Sequence, residues 1–396
     1  MSKDKLIPEW RFPEFKNEGE WEFNELGEIS EIVRGGSPRP IQDYLTTSDD
    51  GLNWLKIADV PSDSKYITGT KEKVIKEALS STREVNTGNL ILSNSMSFGR
   101  PYILKIRTCI HDGWIAIRKI SKVTFEDYLY YFISSESSQS YFNSNAAGAA
   151  VKNLNADIIK LLPIHYPSNK KEQQKIASCL SSLDEVIEAH SQNLDLLKEH
   201  KKGLMQNLFP QEDEKVPKYR FKEFEKDGKW VEKSFEQLFI IGNGRDYKHL
   251  DSGDIPVYGS GGYMLSVNEY LYDGESVCIG RKGTIDKPMF LSGKFWTVDT
   301  LFYTHSFKKC LPKYIFYVFE NIDWRNHNEA GGVPSLSKTN IYKIVVLVPP
   351  TIQEQQKISS CLSSLDVLIK VQEEKIEQLK KHKKGLMQGL FPKMID

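Results

Sequence analysis

The side chains that this chain concentrates in two matching places suit hydrogen-bonded reading of another molecule better than bond-breaking chemistry. The segment ILSNSMSFGRPYIL at 91–104 carries Asn94, Ser95, Ser97 and Arg100 between apolar runs, and VCIGRKGTIDKPMF at 277–290 carries Arg281, Lys282, Thr284 and Lys287 in the same setting. Setting Pro101 against Pro288 brings the two into correspondence, and that offset also places Asp112 of HDGW on Asp299 of VDTLF. An arginine fork matches the N7 and O6 acceptors of guanine, and a carboxamide matches N6 and N7 of adenine. Two loops in one position with different donor and acceptor sets are what readers of two base sequences require. The competing reading of any one of these residues is a hairpin side chain facing water. Glycine-bearing loops stand earlier in each half: VRGGSPRP at 33–40 offers Arg34, Ser37 and Arg39, GNGRDYK at 242–248 offers Arg245, and VYGSGGY at 257–263 offers Tyr258. Their glycines and prolines by themselves signal only turns.

Groups arranged for catalysis are missing from the sequence. GRKGTI at 280–285 lacks the GxxxxGK[ST] spacing of a phosphate-cradling loop. There is no DPPY or NPPY segment of the kind amino-methylation of adenine uses, no HExxH, no GxSxG and no carboxylate cluster with lysine. The eight histidines form no ligand spacing, and the five cysteines, odd in number and without a CxxC pair, fit neither a zinc site nor a disulfide scaffold. Cys179 and Cys361 recur at one position of a repeat and read as packing residues. With 53 basic and 53 acidic residues the chain is formally neutral, which argues against holding nucleic acid mainly by its own charge. The absence of an apolar run long enough to span a bilayer, and of an apolar core in MSKDKLIPEW, predicts a cytoplasmic protein with no membrane partner.

The elements that position these loops come from a repeat. Residues 171–210 return as 353–392 with 25 of 40 positions identical, and IPEWRFPEFKNEGEW at 7–21 returns as VPKYRFKEFEKDGKW at 216–230. The first match is offset by 182 residues and the second by 209, so a constant frame encloses inserts that have diverged in length. The blocks are ordered like a ring of two units cut at one linker.

Apolar residues in the first long repeat fall at Ile176, Leu180, Leu183, Ile187, Leu194, Leu197, Leu204 and Leu208, with His190 and Lys201 filling the gaps. In the second they fall at Ile358, Leu362, Leu365, Ile369, Ile376, Leu379, Leu386 and Leu390, with Gln372 and Lys383 in the gaps. This is a heptad seam, whose polar members can fix register. A two-fold axis crossing two such helices packs them antiparallel. At 1.5 Å per residue, 176–208 spans roughly 48 Å, somewhat over the roughly 34–36 Å of one turn of B-DNA. The run Lys198, His200, Lys201 and Lys202 and its counterpart Lys380, Lys381, His382, Lys383 and Lys384 read as a solvated face or as contacts to phosphate or a partner. Each insert mixes β-rich runs with a closing aromatic helix, FEDYLYYFISSESSQSYF at 125–142 and PKYIFYVFENIDW at 312–324, whose rings read as core.

Over nearly its whole length the sequence resembles the specificity subunits of type I restriction-modification systems. The resemblance rests on the doubled frame, on LSKTNIYKIVVLVPPTIQEQQKI at 336–358, on VYGSGGY and IGRKGTI followed by FWTVDTLFY, and on GGSPRP and LSNSMSFGRPYI. The first half departs from it only in YPSNKKEQQKI at 166–176, which lacks the double proline. The resemblance implies an α/β chain with two pseudo-two-fold-related target recognition domains, at 1–167 and 211–350, separated by antiparallel coiled-coil helices at 168–210 and 351–396. It also implies a non-catalytic role: each domain reads half of an asymmetric bipartite site in double-stranded DNA, and the helices set the gap. Two methyltransferase subunits would methylate adenine N6 with S-adenosylmethionine, and motor-nuclease subunits would use ATP and Mg, with no cofactor on this chain. The alternative is a protein-protein adaptor with two divergent heads on a coiled-coil spacer.

Overall fold

The computed structural model describes residues 6–60, 64–94, 98–146, 154–211 and 214–392. Two helices of 39 residues each, Lys170–Leu208 and Ile352–Leu390, occupy the long repeats. Both begin on a side-chain cap: Asn169 Oδ1 accepts from the Lys171 amide at 3.0 Å, and Thr351 Oγ1 accepts from the Glu354 amide at 3.3 Å. Pro210 and Pro392, which cannot continue a helix, follow the last turns. The chain divides into two compact units, one of Met1–Ala189 with Lys375–Asp396 and the other of His190–Glu374. Each unit therefore takes the first half of one long helix and the second half of the other.

In the first unit, Glu31–Arg34, Trp114–Arg118, Leu90–Ser93, Pro101–Leu104 and Tyr66–Ile67 form a five-stranded sheet in that order. A second five-stranded sheet runs Leu45–Thr46, Glu72–Val74, Leu52–Leu55, Thr108–Ile110 and Arg83–Val85. In the second unit, Ile240–Asn243, Leu301–His305, Ser276–Gly280 and Met289–Leu291 make one four-stranded sheet, and Gly262–Val267, Ser252–Gly259, Lys294–Thr297 and Tyr272–Asp273 the other. Most pairs are antiparallel, while Trp54 to Cys109, Tyr66 to Ile103 and Val257 to Trp296 are parallel. The registers make the units equivalent: Leu92 lies opposite Ile115 in one, and Ile279 opposite Phe302 in the other.

The constant frame closes each unit. Glu22–Glu25 pairs antiparallel with Pro163–Tyr166, and Val231–Ser234 pairs in the same way with Val345–Val348. Beside these small sheets, Arg11 meets Glu172 through two nitrogens, each at 2.7 Å, with side chains only 7% and 1% exposed. Arg220 repeats the contact on Glu354 at 2.8 and 2.7 Å. Hydrogen bonding to the buried carboxylate raises both guanidinium pKa values, so both stay cationic.

Every predicted seam position, polar ones included, is buried or half-buried. In the first unit Lys383 pairs with Asp184, which also accepts from Tyr131 Oη at 2.7 Å. In the second unit Lys201 pairs with Asp366 at 2.7 Å, Tyr317 Oη donates to Asp366 at 2.6 Å, and Gln372 Nε2 donates to the His190 carbonyl at 2.7 Å. Early residues of one helix thus meet late residues of the other, so the halves run antiparallel within each unit. These lysines, together with Lys198 on Glu373 at 2.7 Å, engage part of the basic runs in ion pairs within the units.

The aromatic helices Glu126–Ser134 and Pro312–Glu320 lie in the cores as expected, but the run at 125–142 is not one helix: it breaks at the extended Ser135, which caps a separate helix Glu136–Asn145. Onto the first pack Leu390 and Phe391, the Phe391 ring 5.5 Å from Phe132, and onto the second pack Leu208 and Phe209, the Phe209 ring 5.8 Å from Tyr314. Burying one such side chain contributes about 1.5–3 kcal/mol. The end of the second long helix also meets the opening segment of the chain, where the Trp10 amide donates to the Gly389 carbonyl at 2.8 Å. Tyr219 makes the same bond to Asn207 at 2.9 Å in the other unit. A Cβ on Gly389 would stand 2.4 Å from the Trp10 ring, so the larger ring goes with the smaller partner.

Two stability outcomes follow from these contacts. Replacing Glu172 by Gln or Arg11 by Met is expected to cost about 3–5 kcal/mol in denaturant unfolding of the first unit, because a buried charge loses its partner, whereas the double apolar replacement costs less than either single change. Gly389→Asn is expected to cost about 1–3 kcal/mol through overpacking, and Trp10→Tyr is expected to restore much of it. Additive losses in the double variant would show that the two positions do not share a contact.

Candidate nucleic-acid interface

In the first unit the loop after Glu31–Arg34 crosses the loop His111–Gly113 so closely that a Cβ on Gly35 would stand 2.2 Å from the His111 carbonyl oxygen. A Cβ on Gly244 would stand 1.9 Å from the Val298 carbonyl oxygen in the second unit. Only glycine permits this approach, and it carries the following residues over the sheet end.

Four of the candidate residues in the first unit converge there on one aspartate. Ser37 Oγ donates to Asp112 Oδ1 at 3.0 Å and Arg39 to Oδ2 at 3.4 Å, while Arg34 Nε and Asn94 Nδ2 donate to the Asp112 carbonyl at 3.1 and 3.2 Å. His111, which the sequence reading passed over, lies with Nδ1 3.0 Å from the carboxylate, and the Gly113 amide donates to that nitrogen at 2.9 Å. Burial works to raise the Asp112 pKa, but the Ser37 hydrogen bond and nearby positive charge, Arg39 and Arg34 included, bring it below the ordinary carboxylate value. Asp112 thereby orders the loop, leaving Arg39 82% exposed at its side chain.

Asn94 departs from its expected role. It is 4% exposed and its amide is held by Asp112, so it braces the loop rather than presenting a free carboxamide. Ser95 and Ser97 lie outside the described residues. Arg100 stands apart from the Asp112 group: it donates to the Ser64 carbonyl at 3.5 Å, lies 5.3 Å from the Tyr102 ring, and lines a cleft of about 560 Å³ with Lys380 and Lys384.

The second unit keeps the backbone and changes the side chains. The Arg281 amide donates to the Thr300 carbonyl at 2.8 Å, as that of Asn94 does to Gly113 at 3.0 Å. The constant frame ties both loops from the far side, Leu336 donating to the Arg281 carbonyl at 2.9 Å and Leu154 to that of Asn94 at 3.1 Å. Arg281 is exposed where Asn94 is buried, its guanidinium 6.0 Å from the Phe302 ring. Lys282 and Lys287 are exposed and Thr284 half-buried. Arg245 is exposed, and its carbonyl accepts from Trp296 Nε1 at 2.9 Å. Tyr258 is half-buried in the hairpin opposite Tyr263, which is 63% exposed at the mouth of a cleft of about 670 Å³. Asp246, Lys248 and Asp299 line the same cleft. Its walls come from the glycine-bearing segments GNGRDYK and VYGSGGY and from the aspartate paired with Asp112 in the sequence.

Among the described residues no group of three or more His, Cys, Asp or Glu side chains is placed to hold a metal ion, and no helix is long and apolar enough to cross a membrane. The arrangement offers fixed hydrogen-bond donors and acceptors at two equivalent loop ends.

The chain matches the family described as "Type I restriction modification DNA specificity domain" over residues 18–199 and 227–381. It is 24% identical to a putative type I restriction enzyme MjaX specificity subunit of Methanocaldococcus jannaschii, over 94% of this chain and 93% of that protein. It is 22% identical to the type I restriction enzyme MjaVIII specificity subunit of the same organism, over 94% and 92% of the two chains. The S subunit of a type I restriction-modification system from M. genitalium shares the fold, with a TM-score of 0.67 at 15% identity, covering 98% of this chain and 100% of that one. Two equivalent loop ends on a repeated frame, matched by one family in both halves, make this chain a member of the type I restriction modification DNA specificity family, a DNA-recognising rather than a catalytic component.

Proposed function

We propose that each of the two domains reads one half of an asymmetric bipartite site in double-stranded DNA, and that the long helices set the unread gap between the halves. Two methyltransferase subunits dock on the constant regions and methylate adenine N6 with S-adenosylmethionine, the target base turning out of the duplex into the neighbouring subunit. Motor-nuclease subunits add translocation and cleavage driven by ATP with Mg, and the assembly works in the cytoplasm. None of these cofactors is held by this chain.

The observation that carries this reading is the unchanged backbone on which Arg281 stands exposed in the second domain and Asn94 is a buried brace in the first, so that the two domains present different side chains. Both residues follow equivalent strands, donate to equivalent carbonyls and accept from Leu154 and Leu336 of the constant frame. A scaffold that holds position and varies side chains suits recognition of different bases, because base edges differ only in the pattern of donors and acceptors they present. The neutral charge suits a division of labour in which partner subunits supply much of the phosphate contact.

Selection of bound duplexes from a random library by the chain with its methyltransferase partner tests the proposal. The expected result is two short motifs at a fixed spacing. Arg281→Ala is expected to weaken discrimination in one of them by about 1–3 kcal/mol at a single base pair and to leave the other unchanged. Loss in both halves, or in neither, would contradict the assignment of Arg281 to the second domain's half-site.

A further inference from the structure

The two domains carry an aspartate in the turn that enters the equivalent strand, Trp114–Arg118 or Leu301–His305, and treat it oppositely. In the first domain both Asp112 oxygens are taken by the chain itself, through Ser37 and Arg39. In the second domain the residues that occupy Asp112 have been exchanged. Asp246, which cannot donate, stands two residues beyond Gly244, as Ser37 stands two beyond Gly35; Val298 replaces His111; and Arg281 replaces Asn94. Among the described residues nothing donates to the Asp299 carboxylate, which is exposed.

Asp299 also lies where a ligand can reach it. It lines the cleft of about 670 Å³ with Lys248, Ser260, Tyr263 and Thr300. The Thr300 carbonyl accepts from the Arg281 amide at 2.8 Å, and a Cβ on Gly283 would stand 3.4 Å from Ser260 Oγ. The loop at 281–283, which carries Arg281 and Lys282, and the hairpin tip at 259–263 therefore flank the carboxylate.

We propose that Asp299 is a specificity-determining residue of the second domain, its carboxylate accepting a hydrogen bond from the exocyclic N4 amino group of a cytosine in the major groove. This rests on the reading of the domain as a DNA reader. An ionised carboxylate only accepts. Adenine's amino group is flanked by acceptors on both sides, its own N7 and the thymine O4, which repel the second carboxylate oxygen, whereas the cytosine amino group has an acceptor only on the side of the paired guanine and leaves its C5 side free. Lys248 and Arg281 offset the repulsion between this carboxylate and the phosphates. The first domain, whose aspartate is already occupied, offers Arg34 and Arg39 and therefore reads acceptor edges instead.

The test uses the full chain with its methyltransferase partner and duplexes carrying each single base-pair change across the site selected by the wild type. Asp299→Ala is expected to remove a cytosine preference of roughly 5- to 150-fold at one position of the second half-site, with first-half preferences unchanged. Asp299→Asn, which adds a donor beside the acceptor, is expected to move that position toward adenine. Thermal melting of both variants checks that the exposed substitution leaves the fold intact. If the wild type discriminates and both variants keep its second-half preferences, Asp299 is not a reader and the domain assignment stands. If the wild type shows no base preference, the DNA-reading proposal falls and this inference falls with it.

Discussion

The structure depends on one buried ion pair made twice. Arg11 reaches Glu172, and Arg220 reaches Glu354, across 161 and 134 residues of chain. Each pair joins the segment before a variable domain to the first turn of the long helix after it. Each carboxylate is 1% exposed, and an unpaired charge at that depth costs several kcal/mol, so the segment and the helix cannot separate cheaply. Arg11 also donates to the Glu18 and Gly19 carbonyls at 2.7 and 2.9 Å, which fixes the turn leading into the first strand. With both ends of a domain clamped, the loops between them are free to differ without loss of the frame.

The helix seam adds a constraint of register. Asp184 with Lys383 and Tyr131, and Asp366 with Lys201 and Tyr317, place the same three side-chain types at equivalent points of the two units. Burial first, and the neighbouring carboxylate second, push both tyrosine phenols well up, so they stay protonated donors. A slip by one turn would strand these groups in an apolar seam, a penalty that leucines alone would not impose. The polar triad also ties the aromatic helix of each variable domain to the long helices, so each recognition loop is referred to the helix register through packed core.

The elements that repeat were legible in the sequence because repetition and heptad spacing are local signals. The seam, the aromatic core helices and the meeting of the chain's end with its opening segment all followed from comparing one half with the other. The sheets were less legible: their order brings Tyr66 beside Ile103 and Cys109 beside Trp54 in parallel pairs that no turn signal announces. At the candidate interface the loops were legible and the side-chain roles were not. Asn94 and Arg39 looked alike as polar residues of glycine-rich or hairpin segments, yet one is buried and the other open, because Asp112 lies 18 residues from the first and 73 from the second. A partner so distant in sequence decides whether a donor is spent within the chain. The pairing of Asp112 with Asp299 was readable; that one is occupied and the other open was not, since it depends on Ser37, His111 and their replacements meeting in space.

The central claim, that this chain selects the DNA site on which other subunits act, is tested most directly by mapping N6-methyladenine across the genome of a host that carries the partner methyltransferase, with and without this chain. The account predicts one bipartite motif, two short halves at a fixed gap, methylated only when the chain is present. A demonstrably active methyltransferase that yields no chain-dependent motif would contradict it and favour an adaptor that binds proteins alone.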